Sequence, residues 1–207
     1  MNDFKRFLCA NSYARPVHGQ RVIQAYSLKL GRHVQCFGEQ VFGQWIRLEA
    51  DPTVQEYCER PTFLDLADGK RLVDFWVRQG DREVLLIVDD ASETTSAVLG
   101  EVEFTVRTIP PAELAAARMW ISNWERMLPV ITTCRQQISE SARHSMLRFI
   151  DEPMQLSRIE QEFVTGDPTL VRATVFSLLH RGKLKAPRLQ TEELSFLTYF
   201  EPARAER

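Results

Sequence analysis

The chain has 207 residues and a formal net charge of −2, with 44% hydrophobic and 26% charged residues. This composition is typical of a folded globular protein and excludes a disordered, collagen-like or disulfide-dense chain. The length favours one full domain together with a smaller one.

Apolar runs and cysteines bear on the cellular compartment. No run approaches the roughly 18 to 20 apolar residues that a membrane-spanning helix needs, and the first residues lack the apolar core of a signal peptide. The cysteines are far apart in the sequence, which favours reduced, buried thiols over a zinc site or a disulfide framework. We therefore expect a cytoplasmic protein with no membrane partner.

Helical spacing of apolar residues predicts an amphipathic helix that follows Gly38, carries Glu39 in its first turn and stops before Asp51-Pro52. Short β-rich runs separated by Asp-Gly and Gly-Asp turns then predict an antiparallel meander. Its strands are expected at 62–66, 72–77 and 83–88, its turns at 67–70 and 79–81, and a further strand at 104–107. Residues 84–88 are apolar throughout, which predicts a strand buried on both faces in mid-sheet.

A strong helical pattern covers residues 112–127, Pro129 is expected to interrupt it, and residues 130–149 form another helical stretch. A boundary near 151–153 then separates a first domain, 1–150, from a second domain, 151–207.

The second domain shows a helix-turn-helix pattern followed by two strands. Its elements are a helix at 156–163, a turn at Thr165-Gly166, a helix capped by Asp167 with Pro168 at its first position, and strands at 183–186 and 194–200. This order predicts a winged helix, and if the domain binds DNA, the helix at 169–181 would be the one that faces the groove.

Basic residues are concentrated in two segments of this mildly acidic chain. Residues 1–36 carry six basic residues against the single acid Asp3, and no acid lies between Asp167 and Glu192. Clustered bases can neutralise DNA phosphates locally, although a solvated basic surface is the alternative. The candidate DNA-binding residues are Arg32, Arg172, Arg181, Lys183, Lys185 and Arg188.

Three acidic positions are candidates for a metal site. A tight turn between adjacent strands would bring Asp74 close to Asp89 at the end of strand 83–88, and a helix packed on that sheet would add Glu39. Carboxylates are the ligands that Mg²⁺ or Mn²⁺ takes, and such a metal can activate water for phosphodiester hydrolysis. Each acid also has an ordinary interpretation, as a charge at a helix start or a strand end.

Several short segments, in this order and spacing, resemble one protein family. They are Glu39 ahead of residues 45–54, Arg60-Pro61-Thr62, Asp74-Phe75, and residues 104–106, 120–124 and 178–184. Over most of its length the chain resembles the TnsA-like endonuclease subunits of heteromeric, Tn-seven-like transposases.

The resemblance implies an α/β fold. A restriction-endonuclease-like, PD-(D/E)XK core with a mixed central sheet would occupy residues 1–150, and a winged helix would occupy 151–207. It also implies a subunit that cuts one strand at each transposon end, beside a DDE-type transposase that acts on the other strand and an ATPase regulator. Glu39, Asp74 and Asp89 would then be the catalytic residues and the ligands of Mg²⁺ or Mn²⁺.

The sequence departs from the family pattern at the end of the buried strand. Such nucleases carry an acid or Gln, one spacer and Lys there, whereas this chain has Ile87-Val88-Asp89. The missing lysine removes a charge expected to orient the attacking water and stabilise the phosphate.

Three interpretations therefore stay open. In the first, Asp89 or Asp90 is a displaced metal ligand, and Lys70, Arg71 or Gln44 replaces the lysine. In the second, the nuclease fold is a scaffold that binds DNA and partner proteins without cutting. In the third, the protein is a winged-helix transcription regulator whose larger domain dimerises or senses a ligand.

Overall fold

The computed structural model describes residues 9–66, 69–90, 94–163 and 167–203, with Leu66 described by its backbone only. They form two compact units. Unit 1 comprises the described residues of Met1–Glu49 and Thr53–Ala116, and unit 2 comprises Ala50–Pro52 and the described residues of Ala117–Arg207. In this part of the chain, no helix combines the length and apolar character needed to cross a bilayer.

Unit 1 opens with a β-hairpin followed by a helix. Strands β1 (Val22–Ser27) and β2 (Arg32–Phe37) pair antiparallel, and helix α1 spans Glu39–Ala50. The helix ends at the residue before Asp51-Pro52 because proline has no N–H to donate and its ring disfavours a helical residue before it. The predicted stop is therefore confirmed, whereas the hairpin before it has no counterpart among the sequence predictions.

A buried carboxylate ties α1 to the hairpin. Glu49 is fully buried. Its Oε2 accepts hydrogen bonds from Ser27 Oγ at 2.9 Å and from Tyr57 OH at 2.6 Å. Its Oε1 accepts hydrogen bonds from the backbone N–H groups of Leu28 and Lys29. Burial raises the pKa of Tyr57 well above its usual value, and the Glu49 charge raises it further. Glu49 is thus an internal hydrogen-bonding centre.

The central sheet of unit 1 is mixed and five-stranded. In the order of the chain, the strands of this region are β3 (Glu56–Glu59), β4 (Phe63–Leu66), β5 (Gly69–Leu72), β6 (Phe75–Gln79), β7 (Arg82–Val88), β8 (Thr94–Leu99) and β9 (Val102–Ile109). The spatial order is β3-β6-β7-β9-β8, with β7 and β9 parallel and the other pairs antiparallel. Strands β4 and β5 form a separate two-stranded ladder. Together with the helices, this sheet confirms the α/β class.

Strand β7 lies between β6 and β9 and buries Leu85, Leu86 and Ile87, which confirms a mid-sheet strand covered on both faces. The expected single strand at 72–77 is wrong, because the chain changes ladders at Val73 and Asp74. Val73 N–H donates to Thr62 O, whereas Asp74 N–H donates to Leu86 O. The predicted turn at 67–70 includes residues 67 and 68, which lie outside the described residues.

Helix α2 (Pro111–Ala116) completes unit 1, and unit 2 continues with two helices. Helix α3 spans Arg118–Cys134 and helix α4 spans Glu140–Phe149. The expected interruption at Pro129 is wrong, because α3 runs through it. A proline costs the helix one hydrogen bond, and the burial of Leu128 and Ile131 on either side of it favours the continuous helix.

The rest of unit 2 contains two helices and a small sheet. Its elements are β10 (Met154–Gln155), α5 (Leu156–Glu162), α6 (Pro168–His180), β11 (Leu184–Lys185) and β12 (Tyr199–Pro202), with a 3-10 turn at Pro187–Gln190 between the last two strands. The sheet order is β10-β12-β11, antiparallel throughout. Asp167 caps α6 by accepting the Thr169 N–H at 2.8 Å, as predicted. The expected turn at Thr165-Gly166 lies outside the described residues.

Two boundaries in this region differ from the sequence prediction. The compact units divide between Ala116 and Ala117, well before 151, because α3 packs on α6 and Asn123 Nδ2 donates to the carbonyls of Leu189 and Glu192. The expected strand at 194–200 is also wrong, since β12 begins only at Tyr199. The Leu194 N–H donates to Asn123 Oδ1 instead of joining a strand ladder.

Candidate functional site

Glu39 lies in the first turn of α1 and is exposed. Its Oε1 accepts a hydrogen bond from Arg21 Nη1 at 2.7 Å, and the two side chains are 64% and 75% exposed. An ion pair this open to solvent contributes about 0 to 1 kcal/mol. Glu39 is thus a surface charge engaged by Arg21.

Asp74 lies between β5 and β6 and is partly buried. Its Oδ2 accepts the Val88 N–H at 2.7 Å, which confirms the expected closeness of Asp74 to the end of strand 83–88. The surrounding protein removes water from the carboxyl and raises the pKa of Asp74 to about 7, while the Val88 hydrogen bond acts in the opposite direction. At neutral pH this side chain is divided between its protonated and charged forms.

Asp89 follows β7 and is held by Arg71. Arg71 Nη1 donates to Asp89 Oδ2, and Asp89 Oδ1 accepts the N–H of the exposed Asp90 at 2.7 Å. Of the proposed lysine replacements, Arg71 is thus next to Asp89. Lys70 Nζ lies 5.5 Å from the centroid of the Phe63 ring, and the buried Gln44 accepts a hydrogen bond from Arg47 at 3.1 Å.

The donor chemistry of these acids does not fit a magnesium site. A hard divalent cation needs several charged oxygens facing one point. Glu39 is hydrogen-bonded to Arg21, Asp89 is hydrogen-bonded to Arg71, and Asp74 accepts the Val88 N–H. Across the described ranges, no group of three or more His, Cys, Asp or Glu side chains is arranged to hold a metal ion.

Two of the candidate DNA-binding arginines are committed to buried carboxylates. Arg32 donates from Nη1 and Nη2 to the two oxygens of Glu59, each at 2.7 Å, and Glu59 is 3% exposed. The hydrogen bond to Glu59 raises the pKa of Arg32 above its usual value. Arg172 donates from Nε to Glu160, which is 8% exposed. Since removing either arginine would leave a buried negative charge, their first role is structural.

The other four basic candidates are exposed. We call them the basic strip: Arg181, Lys183, Lys185 and Arg188. They run from the C-terminal end of α6, past β11, into the 3-10 turn. Arg181 approaches the exposed Glu140 at 3.4 Å, Arg188 approaches the exposed Glu192 at 4.0 Å, and both contacts are weak in water. The strip therefore presents positive charge to solvent.

Helix α6 is a core helix and does not present the groove-facing surface expected at 169–181. From Val171 to Leu179 every residue except Arg172 is buried, and α3, α4 and α5 pack around the helix. A helix that reads a DNA groove needs a solvated polar face. The pattern of apolar residues identified one inner face, but the small residues Ala173, Thr174 and Ser177 on the other faces are buried too.

Sequence reasoning did not single out Arg60 as a charge-bearing site residue. Its guanidinium lines a cleft in unit 1 and its backbone has a φ of 50°, a conformation that is rare for residues other than glycine. No local pattern marks such a residue, because its burial depends on the fold around it.

Two comparisons of the sequence with known proteins found no match. A scan against protein-family models finds no family that matches the chain, and a search of curated proteins finds no match. The geometry and the sequence therefore carry the functional argument.

Proposed function

We propose that this protein is a TnsA-like subunit of a DNA transposition complex that positions transposon-end DNA without cutting it. The observation that carries the proposal is the basic strip on unit 2, where four cationic side chains stand exposed in a segment with no acid between Asp167 and Glu192. A transposase subunit and an ATPase regulator are the partners that this proposal includes.

The charge of the strip is the physical basis for DNA binding. Each lysine or arginine that neutralises a phosphate releases condensed counterions, which favours binding at moderate salt concentration. The strip borders an exposed aromatic ring as well: Tyr199 is 38% exposed, and the Arg188 guanidinium carbon lies 5.6 Å from the centroid of its ring. Cationic side chains beside aromatic rings suit a nucleic-acid backbone and its bases.

The topology of both units supports the proposed family. A winged helix is expected to have helices followed by a small antiparallel sheet. Unit 2 has elements in the order α4, β10, α5, α6, β11, β12, and β12 lies between β10 and β11 in the sheet. A restriction-endonuclease-like core is expected to have a helix, followed by antiparallel strands and then by a parallel strand. After its hairpin, unit 1 has this order: helix α1, then the antiparallel strands β3, β6 and β7, then β9 parallel to β7.

Positioning is favoured over cutting because, across the described residues, Glu39, Asp74 and Asp89 do not form a group that could hold a metal ion. Asp89 is instead hydrogen-bonded to Arg71, and Asp74 accepts the Val88 N–H. Positioning is also favoured over operator binding by a transcription regulator, since α6 is buried. With contacts made mainly to phosphates, we expect binding that discriminates little between DNA sequences.

The salt dependence of DNA binding tests this proposal. In a variant with Lys183, Lys185 and Arg188 changed to Ala, the slope of log K against log salt for a duplex of arbitrary sequence should become less negative by about 2 to 3, because about 0.9 counterions are released per phosphate contact. The matched control changes Arg118, Arg126 and Arg148, three exposed arginines elsewhere in unit 2, to Ala.

Fluorescence anisotropy at several salt concentrations measures both slopes. The control has the same loss of charge and should keep the wild-type slope. If the strip variant keeps the wild-type slope as well, the basic strip does not contact DNA and the proposal loses its main support.

A further inference from the structure

A cleft of about 380 Å³ lies in unit 1, lined by the segment from Ala10 to Pro16, the hairpin strands and Arg60. Its described lining residues include two arginines, Arg15 and Arg60, and no acid. Asn11, Ser12 and Gln35 add neutral hydrogen-bonding groups, and Phe37 with smaller apolar residues forms the rest of the wall. The residues that line this cleft include none of Glu39, Asp74 and Asp89 and no residue of the basic strip.

Arg60 is the unusual residue of this cleft. It is 9% exposed, and among the described residues its buried Nε finds no hydrogen-bond partner. Its hydrogen bond from Nη2 to Gln35 Oε1 is long, at 3.4 Å, and its guanidinium carbon stands 4.5 Å from the centroid of the Phe37 ring. The neighbouring carboxylate, Glu59, is already held in the two-point pair with Arg32.

Burying a guanidinium costs several kcal/mol unless an anion or a full set of acceptors compensates it. In the described part of the chain, Arg60 has neither a carboxylate partner nor a full set of acceptors. Its charge is therefore left uncompensated among the described residues, and an external anion in the cleft that Arg60 lines would compensate it.

Backbone hydrogen bonds fix the main chain of Arg60 in this position. The Arg60 N–H donates to Asp74 O at 2.8 Å, and the Arg60 carbonyl accepts the Asn11 N–H at 2.8 Å, on the segment that lines the cleft. The φ of 50° adds backbone strain, which surrounding structure must maintain and which is common at ligand clamps. With its backbone already ordered, Arg60 binds an anion without a further entropic cost for ordering that part of the chain.

Arg15 supplies the second positive charge. It is exposed, and its Nη1 donates to the carbonyls of Ser12 at 2.5 Å and Ala14 at 3.0 Å, two residues that also line the cleft. A pair of guanidinium groups is better suited to binding a phosphate than to binding a carboxylate. A phosphate carries more charge than a carboxylate and presents more oxygens to planar donors.

We propose that this cleft binds a phosphate group, with Arg60 as its buried ligand and Arg15 as its exposed one. The volume and the apolar wall around Phe37 leave room for the body that carries the phosphate. Two sources share this chemistry: the backbone of a nucleic acid and a small phosphorylated molecule. The site is independent of the basic strip and of any cleavage chemistry.

Calorimetric titration with inorganic phosphate, against chloride at equal ionic strength, tests the site on the full chain. We expect saturable binding to the wild type and an increase in Kd of about tenfold or more in Arg60→Gln and in Arg15→Gln. Arg21→Gln is the matched control, because Arg21 belongs to the same basic segment, is exposed and does not line the cleft. Should Arg60→Gln fail to fold, the exposed Arg15→Gln still decides the result.

Competition identifies the source of the phosphate. If a DNA duplex displaces a bound nucleoside 5′-monophosphate, the cleft binds the backbone phosphates of a nucleic acid. If the duplex and the monophosphate bind together, the cleft binds a small phosphorylated molecule. Either result supports the site. The proposal is overturned if phosphate binding does not saturate, or if Arg15→Gln binds phosphate as tightly as the wild type. Because the strip variant is measured separately, loss of one proposal leaves the other intact.

Discussion

At the scale of single residues, the surroundings of Asp74 decide its charge. The carboxyl is partly buried beside Val88, and loss of water around it raises its pKa to about 7. In an unfolded chain an aspartate titrates near pH 4. Between about pH 4 and pH 7 the folded protein therefore binds one proton more than the unfolded chain, and stability falls as the pH rises through this range.

Replacing Asp74 by Asn should reduce this pH dependence. The amide oxygen still accepts the Val88 N–H, but the group no longer titrates. When the pH rises from 5 to 7.5, we expect the unfolding free energy of the wild type to fall by on the order of 1 to 2 kcal/mol more than that of the variant. This value includes a reduction for the partial exposure of the carboxyl. Urea denaturation at the two pH values measures it.

Asp90→Asn is the matched control for Asp74→Asn, because Asp90 is an exposed acid near the same end of β7. It should keep the wild-type difference between the two pH values. Equal pH dependence in Asp74→Asn and the wild type would contradict the prediction.

Buried thiols follow the same reasoning. Cys36 and Cys58 are each 1% exposed, and burial raises the pKa of both thiols to about 12, with the Glu59 charge adding to the effect. Since the thiolate is the reactive form, these cysteines are inert near neutral pH. The expectation that the cysteines are mostly buried is confirmed, because Cys36, Cys58 and Cys134 are buried and only Cys9 is exposed.

At the scale of secondary-structure elements, α6 owes its end to one glycine. Gly182 has a φ of +65°, and its N–H donates to Leu179 O at 2.9 Å. A Cβ atom at this position would lie 2.8 Å from Pro52 Cβ, closer than carbon atoms approach. Gly182 is therefore required both by the backbone conformation and by the space available.

Gly182→Ala and Gly31→Ala separate these two effects. Gly31 has the same φ of +65°, but a Cβ there meets nothing within 4 Å. We expect Gly31→Ala to lose about 1 to 2 kcal/mol of unfolding free energy from the left-handed backbone alone, and Gly182→Ala to lose at least about 1 kcal/mol more from the contact with Pro52. Urea denaturation of both variants measures the difference, and equal losses would show that the Pro52 contact has no cost.

Helices and strands were predicted correctly where neighbouring residues in the sequence determine their ends. The end of α1 at Asp51-Pro52 and the Asp167 cap of α6 depend on neighbouring residues, and both were predicted. The β1–β2 hairpin was not, because its run lacks a strong turn dipeptide and its position is held by Glu49, which accepts three hydrogen bonds from residues 27–29. Such long-range contacts leave no local pattern.

At the scale of the whole molecule, the proposed role predicts binding without cleavage. With Mg²⁺ or Mn²⁺ and a supercoiled plasmid, we expect the wild type to leave no more nicks than buffer, because Glu39, Asp74 and Asp89 form no metal-holding group within the described residues. Gel analysis of nicked circles measures this directly.

Asp74→Asn is the control for the nicking assay, since it keeps the Val88 hydrogen bond and removes the carboxylate. Metal-dependent nicks that the wild type makes and Asp74→Asn does not make would replace the positioning role by that of an active nuclease. The proposal that the basic strip binds DNA does not depend on this assay, because the salt dependence of binding tests it separately.

The amino-acid sequence by itself determined the α/β class, the buried central strand and most helix ends, because periodicity, caps and prolines act over a few residues. It also located the exposed basic strip, since its charges lie close together along the chain. Only the tertiary structure decided which charges are free. Arg32 and Arg172 find buried carboxylates far away in sequence, α6 becomes a core helix, and Arg60 is buried without a carboxylate partner among the described residues. Burial and ion pairing depend on residues that only the fold brings together.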